Sequence, residues 1–134
     1  MTPKSFKGAA AGLIATTALI APASAGGSFS VEIVPTSRES ASAIRTGLDL
    51  YSYYNKSRRG AVVRQYGSDN SAGIAQRGSR NYGVVHQEGT GHSGTLRQYG
   101  SDNAYGLFQF GRNTRSDVAQ SGNRQSGLTF QWGW

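Results

Sequence analysis

From residue 60 onward, small, aliphatic and polar positions recur in the same order every eleven residues. Ala61-x-Val63-x-Gln65 shows the unit: a small residue, an aliphatic residue and a glutamine, each separated by one residue. A period of two predicts a strand with one buried face. The glycine two positions after each glutamine predicts a tight turn, because glycine tolerates positive φ. The glutamines are Gln65, Gln76, Gln87, Gln98, Gln109, Gln120 and Gln131, and the turn glycines are Gly67, Gly78, Gly89, Gly100, Gly111, Gly122 and Gly133.

An eleven-residue period also equals three turns of an α-helix, which is the repeat of a right-handed coiled coil. That helical interpretation would place one in-phase glycine in each of seven units. Each such glycine would cost about 1 kcal/mol relative to alanine. The pattern therefore favours one strand and one turn per unit, stacked on copies of itself.

The glutamines point into a narrow core, where an unpaired amide costs roughly 1–3 kcal/mol. Stacked strands lie about 4.8 Å apart, so identical amides can bond to one another as a ladder. Because a turn separates consecutive strands, the strands should alternate between two facing sheets. The sequence therefore predicts an all-β fold, a two-sheet β-solenoid of about 3.5 coils over residues 60–134. A second, looser polar column stands five residues after the glutamines, with His92, Thr114 and Gln125 in three units and Asn70, Asn81 and Asn103 in the others. We expect these asparagines to form an outer ladder.

The outward positions differ between the two predicted sheets. The odd-numbered units become apolar toward the C-terminus, with Phe108, Phe110, Phe130 and Trp132, whereas the even-numbered units stay polar. An exposed apolar face usually marks a partner site. The alternative is that the N-terminal segment of the same chain covers it.

The N-terminus has the features of a secretory signal peptide. Two lysines precede an apolar run over residues 9–20, and Ala23-Ser24-Ala25 forms a cleavage motif. The apolar run is too short to span about 30 Å of hydrocarbon. We expect residues 1–25 to be removed, with Ala23 and Ala25 marking the cleavage site. The chain has no cysteine, so the exported protein would be held by its stack alone.

Residues 26–59 form a leader outside the repeats. Phe29, Val31 and Ile33 alternate as in a short strand, and Thr36-x-x-Glu39 matches a capping box. Apolar residues at helical spacing then predict a helix over residues 37–55. This helix could cover the apolar sheet, or a secretion channel could read it. At the other end the seventh unit runs to Trp134, which predicts an uncapped edge open to a further subunit.

The stretch Asn70-x5-Gln76-x4-Asn81-x5-Gln87 resembles the curlin repeat of bacterial curli fibres, with Asn in the place of Ser. The resemblance covers residues 60–134, with departures at His92, Thr114 and Gln125. It implies a secreted subunit that crosses both membranes through an outer-membrane channel. It also implies self-assembly, with a second curlin subunit, into amyloid fibres for adhesion and biofilm matrix. The chain could be the major subunit or the minor, nucleating one.

Enzyme chemistry is not indicated by any motif. Residues 89–94 match a dinucleotide fingerprint, but a predicted strand follows where a helix should begin. His86-x-Glu88 lacks the cysteine pair of a zinc deaminase site. We therefore expect no catalytic, cofactor or metal site and no small-molecule substrate.

Two other functions remain open from the sequence. The formal net charge of +7, with Arg64, Arg77 and Arg97 near tyrosines, would suit extracellular DNA as a partner. A soluble, monomeric β-solenoid adhesin that binds a host surface would share every feature of the repeats.

Overall fold

The computed structural model describes residues 13–16, 26–54 and 60–134 of the 134-residue chain. The predicted cleavage residues Ala23 and Ala25 lie outside these ranges. The elements are β1 (Leu13–Thr16), β2 (Ser28–Pro35), α1 (Arg38–Tyr54), β3 (Ala61–Ser68), β4 (Ser71–Arg77), β5 (Tyr82–Thr90), β6 (Ser93–Tyr99), β7 (Ala104–Arg112), β8 (Arg115–Ser121) and β9 (Ser126–Gly133).

The seven repeat strands alternate between two parallel sheets. Strands β3, β5, β7 and β9 form one sheet, here called the odd sheet, and β4, β6 and β8 form the even sheet. Each strand pairs with the strand two units later at an offset of 22 residues, as in Gln65 with Gln87 and Gln76 with Gln98. The predicted all-β, two-sheet solenoid of strand-turn units is confirmed.

The inward residues of the two sheets meet in a narrow core. Val85, Leu96 and Leu107 are fully buried, and they pack with Tyr105. The three aliphatic side chains occupy the aliphatic position of the eleven-residue unit, so the alternating pattern fills the space between the sheets. Apolar contact and the amide groups therefore share the same thin interior.

Helix α1 packs on the outer face of the odd sheet. Ile44 and Leu48 are buried against Val62, Val84 and Ala104. The apolar outward positions are thus covered, over this part of the sheet, by the leader of the same chain. Of the two roles considered for the helix, the structure shows packing.

The helix begins with a reciprocal cap that the sequence interpretation placed one residue too early. The Ser40 amide donates to Ser37 Oγ, and the Ser37 amide donates to Ser40 Oγ, both at 3.1 Å. Ser37 is therefore the N-cap, and a serine takes the place of the usual Glu at the third helical position. The predicted box between Thr36 and Glu39 is wrong, because the hydroxyls of Ser37 and Ser40, one residue further on, accept the two bonds.

The expectation of an uncapped C-terminal edge is also wrong. Strand β2 pairs antiparallel with β9 from Ser28 opposite Gly133 to Ile33 opposite Leu128. Strand β1 pairs with the other edge of β2. Beyond β9 the odd sheet therefore continues with β2 from the leader and β1 from the predicted signal peptide, neither of which belongs to a repeat, while β8 remains an edge of the even sheet.

The two ends of the solenoid differ in how far their interiors are open. In the first coil, formed by β3 and β4, Val63 is 45% exposed. Val85 and Leu107, at the same position of later units, are fully buried. In the last odd strand Thr129, at the same position, is only 5% exposed. The C-terminal end is covered and the first coil is open.

Leu48→Ala should lower the free energy of unfolding by about 2–5 kcal/mol, because the space between helix and sheet that the side chain fills would become a cavity. Leu50 on the same helix is 54% exposed, against 2% for Leu48. Leu50→Ala should therefore change stability by no more than about 0.5 kcal/mol. Guanidinium unfolding of both variants measures the difference, and equal losses would contradict the packing of α1.

Candidate functional site

The seven predicted ladder glutamines form two continuous rows of side-chain hydrogen bonds. In the odd sheet each Nε2 donates to the Oε1 of the next coil at 2.8–2.9 Å, from Gln65 through Gln87 and Gln109 to Gln131. In the even sheet Gln76, Gln98 and Gln120 are joined in the same way at 2.8 Å. The amide ladder thus runs the length of both sheets.

A second bond, made by six of the seven glutamine amides and missed by sequence reasoning, ties the ladder to a backbone carbonyl across the core. Gln87 Nε2 also donates to the backbone carbonyl of Ser71 at 2.8 Å, and Gln98 Nε2 donates to Tyr82 at 3.0 Å. The same bond to the residue sixteen positions back recurs at Gln76, Gln109, Gln120 and Gln131. Both hydrogens of the buried amide are therefore used, so its burial carries no unpaired donor.

The ladders have a direction. Every Nε2 points toward the C-terminal coil and every Oε1 toward the N-terminal coil. At the open end, Gln65 and Gln76 are exposed, and within the described residues no donor reaches either Oε1. The first coil therefore presents two amide acceptors at the edges of the two sheets.

The turn glycines stack so closely that a side chain would not fit. Six of them have φ between 85° and 130°. A Cβ on Gly89 would lie 1.9 Å from the carbonyl oxygen of Gly111 in the next coil. Positive φ and close backbone approach both require glycine at this position. The same approach occurs at Gly67, Gly78, Gly100 and Gly111, while Gly122 faces the Gln125 side chain and Gly133 faces Arg112.

A second left-handed residue follows two positions after each of these six glycines, and sequence reasoning missed this column. Its φ values lie between 53° and 74°. The signal was present in the composition, since four of the six residues are Asp, Asn or Gly, the types that tolerate this conformation. The column consists of Asp69, Arg80, Gly91, Asp102, Asn113 and Arg124.

The predicted asparagine column bridges successive turns through the backbone. Asn81 Nδ2 donates to the Gly100 carbonyl at 2.9 Å, and its Oδ1 accepts from the Asn103 amide at 3.2 Å. Asn103 repeats both contacts toward Gly122 and Gln125, and Asn70 toward Gly89 and His92. Each asparagine side chain thus bonds to the backbone of the next coil. It does not bond to the equivalent side chain of that coil, as the glutamines do.

His92 and Thr114 continue this column with other chemistry. His92 is 1% exposed, and its Nε2 lies 3.2 Å from the Glu88 carbonyl, which can only accept. Nε2 therefore carries the hydrogen, and Nδ1 accepts from the Thr114 hydroxyl at 2.8 Å. His92 thus bonds back within its own turn and forward to the next coil, as the asparagines do.

The outer face of the odd sheet carries stacked aromatic rings beside α1. Phe108 stacks on Phe130 at 5.0 Å, and Phe110 on Trp132 at 5.8 Å between ring centroids. Tyr51 of α1 lies against Phe108 at one end of this row, and it forms a 2.6 Å hydrogen bond with His86. Burial lowers the pKa of His86, although the neighbouring Glu88 partly opposes the shift.

The outer face of the even sheet is polar, as predicted. Asp117 accepts from Thr95 at 2.6 Å and from Arg97 at 3.0 Å, and these bonds lower the pKa of its carboxyl. Near the turns Arg80 pairs with Asp102 at 2.9 Å. Two of the basic residues are therefore engaged by carboxylates one coil away.

Replacing Gln98 by leucine should lower the free energy of unfolding by at least about 2 kcal/mol, because Gln120 Oε1 and the Tyr82 carbonyl would lose their donor. Gln125 is exposed, so Gln125→Leu is a matched control that should change stability by less than about 0.5 kcal/mol. Chemical denaturation compares the two variants. Equal stabilities would show that the ladder contributes nothing.

Gly89→Ala should destabilise the solenoid by at least about 3 kcal/mol, because the new methyl group would meet the Gly111 carbonyl. A methyl group added to Gly73, in β4, would meet no atom within 4 Å, and the φ of this residue is ordinary. Gly73→Ala should therefore leave stability unchanged or raise it by up to about 1 kcal/mol. Thermal unfolding followed by circular dichroism distinguishes the pair, and a tolerated Gly89→Ala would refute the close stacking of turns.

Comparison with protein families finds a match to the curlin associated repeat over residues 67–100. This segment begins at one turn glycine, ends at another and contains strands β4, β5 and β6. No curated protein and no solved structure matches the chain. Among the described residues no helix is long and apolar enough to cross a membrane.

The matched segment covers about a quarter of the chain, but the same register continues on both sides of it. Strands β3, β7, β8 and β9 join the stack at the same offset of 22 residues. The glutamine and glycine columns cross the limits of the match without a break. The chain therefore contains a segment similar to the curlin associated repeat, within a stack whose register continues on both sides of that segment.

Proposed function

We propose that the chain is a subunit of a curli-type functional amyloid, which assembles outside the cell by adding coils to the ends of its solenoid. The observation that carries the proposal is the open first coil. There β3 and β4 end both sheets, Val63 is 45% exposed, and two ladder acceptors lack a donor among the described residues. Unpaired strand edges of this kind are templates for a further strand.

The polarity of the ladders favours head-to-tail addition. Gln131 donates one hydrogen to the Arg115 carbonyl, which leaves its second hydrogen for a further coil. An incoming C-terminal coil would therefore bring donors to the acceptors of the first coil. Two first coils facing each other would oppose oxygen to oxygen, which is unfavourable.

The resemblance and the N-terminal sequence support the setting of this assembly. The predicted signal peptide supports export, and curlin subunits leave the cell through an outer-membrane channel. We include a second curlin subunit among the partners, and adhesion and biofilm matrix as the role of the fibre. In this proposal the protein is structural, without enzyme activity.

The purified chain should form fibres that raise thioflavin fluorescence and give a meridional reflection near 4.7 Å. A lag before growth would indicate a major subunit, and growth without a lag would indicate the nucleating one. A chain that remains soluble and rich in β-structure at high concentration would contradict the proposal. It would then favour the monomeric adhesin.

Val63→Lys should slow elongation at least about tenfold, because it places a charge on the open face of the first coil. Leu50→Lys adds the same charge on an exposed position of α1 and serves as the control. Both variants should unfold at denaturant concentrations close to that of the parent chain. Equal elongation rates would show that the first coil is not the growing face.

DNA binding is a weaker candidate, because Arg97 and Arg80 already pair with Asp117 and Asp102. Affinity for duplex DNA that falls steeply with salt would support it. Binding that is absent, or independent of salt, would exclude it.

A further inference from the structure

Strand β2 occupies the position on β9 that the next strand of a continuous stack would take. A stacked strand would be parallel to β9 and would place a glutamine opposite Gln131. Strand β2 instead runs antiparallel and places Ser30 there. A serine cannot extend the amide ladder, so the odd row ends at this strand.

Strand β2 contacts the rest of the protein at both of its ends. Gly27 and Trp134 exchange two backbone hydrogen bonds, at 3.0 and 2.9 Å. Phe29 lies against Trp132 with ring centroids 6.0 Å apart, and Ile33 packs against the cluster that α1 forms with the sheet. The leader therefore holds β9 from its last residue to the apolar region beneath the helix.

The interactions that join β2 to β9 differ from those that join successive repeat strands. Among the described residues β2 makes no ladder, turn-glycine or asparagine link to β9, and edge pairing and side-chain contact retain it. In the even sheet β8 is still an edge. The last coil is thus closed on one sheet only, by a strand with fewer links than a repeat strand has.

We propose that β2 is a built-in cap, which blocks addition of a second copy at the C-terminal coil until it leaves β9. Growth through the first coil needs an incoming copy whose own C-terminal coil is free. Release of β2 is therefore the step that converts a folded subunit into one that can polymerise. This inference rests on the proposed function, and its partner is a second copy of this chain.

A reversible covalent lock tests the cap. The chain has no cysteine, and Phe29 and Trp132 are paired across β2 and β9. They lie two residues along from Gly27 and Trp134, which exchange two backbone bonds, so by the alternation of an antiparallel ladder they are also a hydrogen-bonded pair. The Cα separation of such a pair, about 5.5 Å, suits a disulfide. The variant with Phe29→Cys and Trp132→Cys can then be compared oxidised and reduced in the same chain.

The oxidised variant should elongate wild-type seeds at least about tenfold more slowly than the reduced variant. It should also stop wild-type growth at the C-terminal end of the fibre at substoichiometric amounts, because a locked subunit that adds there through its first coil leaves that end closed. Oxidised and reduced variants that elongate within about twofold of each other would overturn the cap while wild-type assembly stands. If the wild type also fails to assemble, the proposed function is wrong and the cap proposal with it.

A second variant works in the opposite direction. Phe29→Ser with Val31→Ser should loosen β2 and shorten the lag at least about threefold. Tyr53→Ser with Tyr54→Ser removes two apolar side chains that are 80% and 81% exposed at the end of α1, and it should leave the lag unchanged. A lag that is unchanged or longer in the β2 variant would overturn the cap.

Discussion

The structure depends on keeping buried amides paired in a core too thin to hide them. A glutamine between two sheets has two donor hydrogens and an acceptor, and leaving any of them unpaired opposes folding. Here one hydrogen goes to the next glutamine and the other to the backbone of the facing sheet, as at Gln87. This arrangement works only if every strand keeps the same register. The eleven-residue period is the sequence form of that requirement.

The turns obey a stricter geometric condition than the strands. Successive coils approach at the turn glycines until the backbone of one meets the backbone of the next, as between Gly89 and Gly111. A second residue in each turn adopts a left-handed conformation, which Asp and Asn tolerate and which Arg80 and Arg124 adopt at some cost. The asparagine bridges then pair the turn carbonyls that the ladder cannot reach. Strand and turn thus repeat together, so a change in one unit is felt by its neighbours.

The repeated units are alike, but the two ends of the stack differ. The first coil is open, with Val63 exposed, whereas the last odd strand lies beneath a leader strand that breaks the pattern. Repeat proteins usually need caps to stay soluble, because an uncovered edge recruits further strands. Under the proposed function, the open end would be the place for addition and the covered end would restrain it.

The sequence alone determined the repeated unit. The spacing of Gln, Gly and aliphatic residues predicted strands, turns, two facing sheets and the ladder, because those features depend on local alternation and on one fixed period. The second amide bond of Gln98, to Tyr82, depends on the distance between the sheets and was not visible in the sequence. The capping serines of α1 differed from the prediction by one residue, because two hydroxyl registers were equally open. The placement of β2 on β9 came only from the tertiary structure, since nothing in a non-repeating leader states which edge it will pair with.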